Sequence, residues 1–205
     1  MNGLPVPPLL VITDRRQARR PLDEIATAAF EGGCRWLSLR EKDLPAVERL
    51  ALLDRILGAA APYGATVTVH DDLVAARRCA GVHLPAGSDP TEARRLLGAA
   101  ALIGQSAHSV EAAVAAERAG ADYVTLSPIF ITASKPGYGP ALGPAILSRA
   151  REALTIPVIA LGGVDAGTIA ACLSAGAAGA AVMGPVMRSA DAALTVSALV
   201  AITAS

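Results

Sequence analysis

Apolar positions gather into eight short runs, near residues 9, 36, 66, 81, 102, 123, 158 and 180. The clearest are LLVIT (9–13), ATVTV (65–69), ALIGQS (101–106) and PVIAL (157–161). They are runs, not strict alternations, as expected of strands covered on both faces. Between them, near 21–32, 45–60, 72–79, 90–98, 109–119, 144–153, 165–175 and 191–203, apolar residues recur at the spacing of amphipathic helices. Four junctions share one form: AFEGGCRWLSL, RRCAGVHL, ERAGADYVTL and LSAGAAGAAVM. In each, a segment with spaced alanines reaches a glycine and a short apolar run follows, β-branched in GVHL and YVTL. Gly33, Gly81, Gly120 and Gly176 are therefore expected to stop helices and turn the chain toward a strand.

Strand alternating with helix predicts a parallel sheet. Eight such units predict a closed α/β structure, a single-domain (β/α)8 TIM barrel over residues 1–205. A doubly wound open sheet is the competing arrangement. It usually carries a glycine-rich phosphate fingerprint after strand one, where this chain has TDRRQARR. No linker divides the chain, and its longest irregular stretch is 128–143.

The chain has 205 residues, 53% of them hydrophobic, with mean hydropathy +0.46, much of it from alanine. No uninterrupted apolar stretch suits a membrane span. The start, MNGLPVPPLLVITDRR, lacks a basic segment followed by a long apolar run, so a cytoplasmic protein is expected. Formal net charge is zero and the pI about 6.8, which argues against nucleic acid as a partner. Arg15, Arg16, Arg19 and Arg20 are expected to be solvated. Cys34, Cys79 and Cys172 have no metal-ligand spacing and are expected to be buried free thiols. Alanine-rich outer helices are compatible with a homo-oligomer.

A barrel builds its active site at the C-terminal ends of its strands. The residues there are not apolar. WLSL runs into Arg40, Glu41, Lys42 and Asp43; strand three ends in His70, Asp71 and Asp72; strand five ends in Ser106 and His108. Arg40, Lys42 and Lys135 are cations from two separate loops, a set suited to a polyanion such as pyrophosphate. Asp71 is a candidate ligand for Mg²⁺, which needs few carboxylates when substrate phosphates complete its shell. Asp72 is expected to cap the next helix, and Asp165 the helix after strand seven. Gly162, Gly163 and Gly184 suit a phosphate site of the kind that follows strands seven and eight in many barrels. His70, His83 and His108 lack metal-ligand spacing; His83 is expected in the core or at the lower rim and His108 in a structural role.

The motifs LREKDL, HDDLVAA followed by GVHL, IGQSAHSVEAA, GADYVTLSPIF with TASKPG, and IALGGV together resemble the thiamine phosphate synthase family, which includes a thiazole tautomerase branch. The resemblance spans nearly the whole chain, with the motifs in family order. It implies a barrel enzyme, a transferase, coupling hydroxymethylpyrimidine pyrophosphate with hydroxyethylthiazole phosphate in a dissociative, Mg²⁺-assisted substitution. By position, Arg40, Lys42 and Lys135 would hold the pyrophosphate and Asp71 the Mg²⁺. Ser106 would contact the pyrimidine substrate or its pyrophosphate. Thr132 and Ser134 would bind the thiazole phosphate, with Gly163, Met183 and Gly184 completing that pocket.

Departures accompany the resemblance. Ser38 stands where the family usually has Gln, and His70 where it has Asn. An acidic second Mg²⁺ ligand is replaced by Ser88, with Asp89 one residue later as a candidate substitute. LPAGS and SKPG resemble the tautomerase branch, yet Pro128 occupies the position where that branch carries a catalytic His. A tautomerase acting on a thiazole carboxylate phosphate, or a non-catalytic barrel binding a thiamine precursor, are the alternatives.

Overall fold

The computed structural model describes residues 3–132 and 140–203. Its eight strands are β1 (Leu9–Ile12), β2 (Trp36–Leu39), β3 (Thr66–His70), β4 (Gly81–Leu84), β5 (Leu102–Ala107), β6 (Tyr123–Leu126), β7 (Val158–Ala160) and β8 (Gly179–Val182). They pair in parallel and in chain order, and β8 returns to β1 through Leu10↔Ala181, closing the barrel. This is the predicted (β/α)8 architecture.

The strands do alternate, but between two kinds of buried surface. Leu37 and Leu39 of β2, Val67 and Val69 of β3, and Val124 and Leu126 of β6 pack outward in the layer shared with the helices. The intervening positions point into the barrel. There, Leu10, Ile12, Trp36, Leu102, Tyr123, Ile159 and Ala181 form a separate inner cluster. Trp36 and Tyr123 meet edge to face, centroids 4.8 Å apart, and fill the inside. Further along the same inward parity the side chains become polar: Ser38, Thr68, His70, His83, Ser106 and Thr125. The barrel is thus sealed by apolar rings at one level and polar above it. Both faces being buried made the strands read as simple apolar runs.

Around the barrel lie α1 (Leu22–Glu31), α2 (Ala46–Ala60), α3 (Leu73–Ala76), α4 (Pro90–Leu97), α5 (Val110–Arg118), α6 (Ala145–Ala153), α7 (Ile169–Ser174), α8 (Gly184–Met187) and α9 (Ala192–Thr203). Three details correct the sequence reading. The segment 72–79 forms a single helical turn. The segment 165–175 begins its helix only at Ile169, because Asp165 closes a turn first, its carboxylate accepting the N–H groups of Gly167 and Thr168. A short helix, α8, interrupts the path from β8 to α9. Gly33, Gly120 and Gly176 have the left-handed φ of helix stops (97°, 93° and 99°). Gly81 instead opens β4, where a Cβ would strike the backbone of Leu102.

Cys34 and Cys172 are buried free thiols, and burial raises the Cys34 pKa to about 11. Cys79 is only half-buried. Among the described residues, no helix is long and apolar enough to cross a membrane.

Candidate active site

The charges after β2 separate by parity. Arg40 and Lys42 line a cleft of about 410 Å³ at the C-terminal end of the barrel. Glu41 turns the other way and is 2% exposed. Its carboxylate accepts the Thr13 hydroxyl at 2.8 Å and the Arg15 N–H at 3.2 Å. Thr13 in turn accepts the Arg40 N–H at 2.8 Å, so the β1 end fixes the backbone that carries Arg40. Burial raises the Glu41 pKa, against those two donors, which lower it. Asp43 takes both Arg15 guanidinium nitrogens, at 2.8 and 2.7 Å, and its pKa falls to about 2, first through that hydrogen bond. Arg15 is paired at the surface and, like Arg16, which shares Asp43, and Arg20, which pairs with Glu24, stays in contact with solvent.

At the end of β3, Asp71 and Asp72 divide their work. Asp72 caps α3 by accepting the Ala75 N–H at 2.9 Å and meets the Arg49 guanidinium at 2.6 Å. Asp71 keeps a half-exposed carboxylate 3.9 Å from Lys42 Nζ. Its φ is +57°, the one positive value at a non-glycine among the described residues. Such a conformation is uncommon for a side-chain-bearing residue, and Asp is among those that tolerate it.

Inside the cleft, His83 is the centre of a neutral network. Its Nδ1 lies 3.0 Å from the Tyr123 hydroxyl, its Nε2 2.9 Å from Ser106 Oγ and 3.3 Å from Thr125 Oγ1. Burial, then the charges of Lys42 and Arg40, lower the His83 pKa to about 3. At neutral pH it is uncharged, with one nitrogen donating and the other accepting. His108 pairs its Nδ1 with the Ser127 carbonyl at 2.8 Å and also lines the cleft. Ser38 Oγ is buried and has no hydrogen-bond partner.

The opposite side of the cleft is built from glycine. Gly162 and Gly163 have φ of 91° and 65°. A Cβ on Gly162 would stand 2.7 Å from Pro128 Cα, and one on Gly163 2.6 Å from Phe130 Cβ. The β6–α6 loop can approach only because both are glycine. Thr132, Met183, Gly184 and Arg188 line the same side. A larger groove, about 610 Å³, runs along α5 and includes Glu111 and Arg118. It lies away from the strand ends and gathers none of their polar groups, so the chemistry is assigned to the cleft.

The thiamine monophosphate synthase family profile matches residues 9–186. The chain belongs to this family. It is 41% identical over 187 residues to the thiamine-phosphate synthase of Methanoculleus marisnigri, covering 89% of each chain. It is 39% identical over 171 residues to the thiamine biosynthesis bifunctional protein ThiM/ThiE of Symbiobacterium thermophilum, covering 82% of this chain but 36% of that longer protein. Among solved structures, thiamine phosphate pyrophosphorylase from Pyrococcus furiosus superposes with a TM-score of 0.86 at 31% identity, covering 96% of this chain and 95% of that one. The protein is an enzyme of the transferase class these relatives represent.

Of the family positions marked from sequence, Arg40, Lys42, His70, Ser106, Thr132, Gly163, Met183 and Gly184 come together around one cleft. Ser38 sits beneath it on the inward face of β2, and Asp71 stands beside Lys42. Ser134 and Lys135 lie outside the described residues. Asp89 caps α4, one carboxylate oxygen accepting the Thr91 N–H at 2.9 Å. Sequence reasoning did not assign roles to Tyr123 and Thr125, whose inward parity was the available signal. Nor did it mark Arg188, which follows the unpredicted α8.

Proposed function

We propose that this protein couples hydroxymethylpyrimidine pyrophosphate with hydroxyethylthiazole phosphate to give thiamine phosphate and pyrophosphate. One observation carries the reading. A single cleft has cations on one side, a glycine-rich wall with Thr132 on another, and a neutral polar interior between them. That is the charge layout required by two phosphorylated substrates whose reacting parts are uncharged rings.

The C–O bond between the pyrimidine methylene and pyrophosphate breaks, and its electron pair leaves with pyrophosphate. The thiazole nitrogen then gives its lone pair to that methylene carbon. Arg40 and Lys42, with Lys135 by family position, hold the departing anion in a fixed geometry, so stabilisation needs no reorganisation as charge develops. His83, held neutral, adds no further positive charge beside the carbon that becomes cationic. Ser106, held by His83, orients the pyrimidine, and the unpartnered Ser38 hydroxyl offers it a further polar contact. Thr132, Ser134 and the backbone at Gly163, Met183 and Gly184 hold the thiazole phosphate. Orientation of the two rings supplies the remainder of the rate enhancement.

The residues fit a Mg²⁺ that is shared with substrate. Asp71 presents a half-exposed carboxylate next to the pyrophosphate cations. No cluster of three His, Cys, Asp or Glu suited to a metal occurs among the described residues, so protein groups alone do not make a cage. Mg²⁺ commonly takes one or two carboxylates together with substrate phosphates and water. Asp71 would hold it, with Asp89 or water in place of the second ligand; the ion would neutralise charge on the leaving pyrophosphate.

The test is a coupling assay with both substrates, with and without Mg²⁺, following thiamine phosphate. Mg²⁺-dependent product is expected. A folded protein that gives none, while isomerising a thiazole carboxylate phosphate or only binding a precursor, would replace this reading with the tautomerase or binding one.

A further inference from the structure

The wall assigned to the thiazole phosphate contains only neutral groups at the described positions the family marks: Thr132, Gly163, Met183 and Gly184. The one acid that lines it, Asp165, is engaged in its own turn, accepting from Gly167 N–H, Thr168 N–H and the Thr168 hydroxyl. Arg188 lines the same wall. Two observations place its guanidinium there. The first is Gly184: a Cβ at that residue would lie 2.5 Å from both Arg188 Nη1 and Nη2 and 2.7 Å from Cζ. The guanidinium occupies the space that a side chain at 184 would take. The second is a relay from the neighbouring loop between β1 and α1. Gln17 donates its side-chain amide N–H to Asp14 at 2.6 Å and accepts from Arg188 Nη1 with its amide oxygen. The amide can satisfy a carboxylate and a guanidinium only in this orientation, so Asp14 sets Gln17 and Gln17 sets Arg188.

We propose that Arg188 binds the phosphate of the thiazole substrate, admitted to the pocket by Gly184 and oriented by Gln17. This rests on the proposed reaction for the identity of the ligand. A guanidinium presents planar, paired donors matched to phosphate oxygens. One nitrogen on Gln17 leaves others for the ligand. Gly184 and Arg188 therefore act as a pair: the glycine gives up a side-chain donor, and the arginine supplies a charged one.

Binding is read by calorimetry, without turnover, for hydroxyethylthiazole phosphate and for the unphosphorylated alcohol. Arg188→Ala is expected to weaken the phosphate ester about 10- to 100-fold, the range of a charge-assisted hydrogen bond, and to leave the alcohol unchanged. Arg188→Lys should recover only part of the loss, because an ammonium lacks the fork. Gly184→Ala should reproduce the Arg188→Ala defect at unchanged melting temperature, since the clash falls on the tip of a flexible side chain. In steady state, KM should rise for the thiazole phosphate and not for the pyrimidine pyrophosphate. Unchanged ester affinity in Arg188→Ala, equal losses for ester and alcohol, or a KM effect confined to the pyrophosphate substrate would each overturn the proposal. If wild type binds no thiazole phosphate, the reaction and this ligand both fall. Inorganic phosphate titrated into the same proteins then tells whether Arg188 still holds an anion.

Discussion

Lys42 Nζ stands 3.9 Å from the Asp71 carboxylate, the two groups reaching toward each other from the ends of β2 and β3. Both are about half exposed, so the pair itself adds little to stability. Under the proposed reaction its value would lie in placement: a cation for pyrophosphate and a carboxylate for Mg²⁺ at adjacent strand ends.

Asp71→Asn separates these roles. Asn tolerates the left-handed conformation at this residue, so stability should stay within about 0.5 kcal/mol of wild type. The charge needed by the metal is lost, and Mg²⁺-dependent coupling should fall to near background. Thermal melts alongside the coupling assay decide it. Wild-type rates at ordinary Mg²⁺ would remove Asp71 from the mechanism.

Much of this site could be read from the chain, and the rest fails for identifiable reasons. Arg40 and Lys42 were visible because polar residues follow directly on an apolar run, and barrel logic gives strand ends a meaning. Glu41, in the same cluster, has the opposite orientation, and only the register of β2 against β1 shows that it serves Thr13 and Arg15. His83 was expected in the core or at the lower rim; it is buried, but in the floor of the cleft at the C-terminal end. Its link to Ser106 depends on β4 lying beside β5 in a particular register, His83 opposite Gly104. Arg188 follows a four-residue helix with no amphipathic repeat, and its partner Gln17 is 171 positions away. Pairings of that length leave no local pattern.

Glu41→Ala tests the scaffold under Arg40. The Thr13 hydroxyl and the Arg15 N–H would lose a buried acceptor, a cost of about 1–3 kcal/mol. Arg40 would lose the fixed backbone below it, so KM for the pyrimidine pyrophosphate should rise as well. Urea unfolding and steady-state kinetics measure the two effects. A variant as stable as wild type would show that water replaces the carboxylate.

Gly104→Ala probes the interior from the other side. A Cβ at Gly104 would collide with the Tyr123 ring, which is fully buried and cannot swing into solvent. Overpacking of this kind costs about 1–3 kcal/mol. The displaced hydroxyl would also release His83 Nδ1 and, through it, Ser106. Stability and kcat should therefore fall together. A destabilised variant with wild-type kcat would mean that Tyr123 packs the barrel without setting the His83 network.

His83 predicts a pH dependence whose sign follows from its environment. Burial, with Lys42 and Arg40 nearby, holds its pKa at about 3 in the folded protein, against 6.5 ordinarily. Between those values the unfolded chain binds a proton that the folded chain does not. The stabilising contribution is thus complete above pH 6.5 and is lost as pH falls toward 3, by at most about 5 kcal/mol. Acidic groups titrate in the same interval, so wild type alone cannot isolate the effect. His83→Gln keeps a donor and an acceptor but does not titrate. Unfolding free energies at pH 7.5 and 4.5 should differ more in wild type than in His83→Gln. Matching pH dependence in the two proteins would show that His83 takes up its proton without cost, and that the charge-free interior assigned to the reacting pyrimidine is wrong.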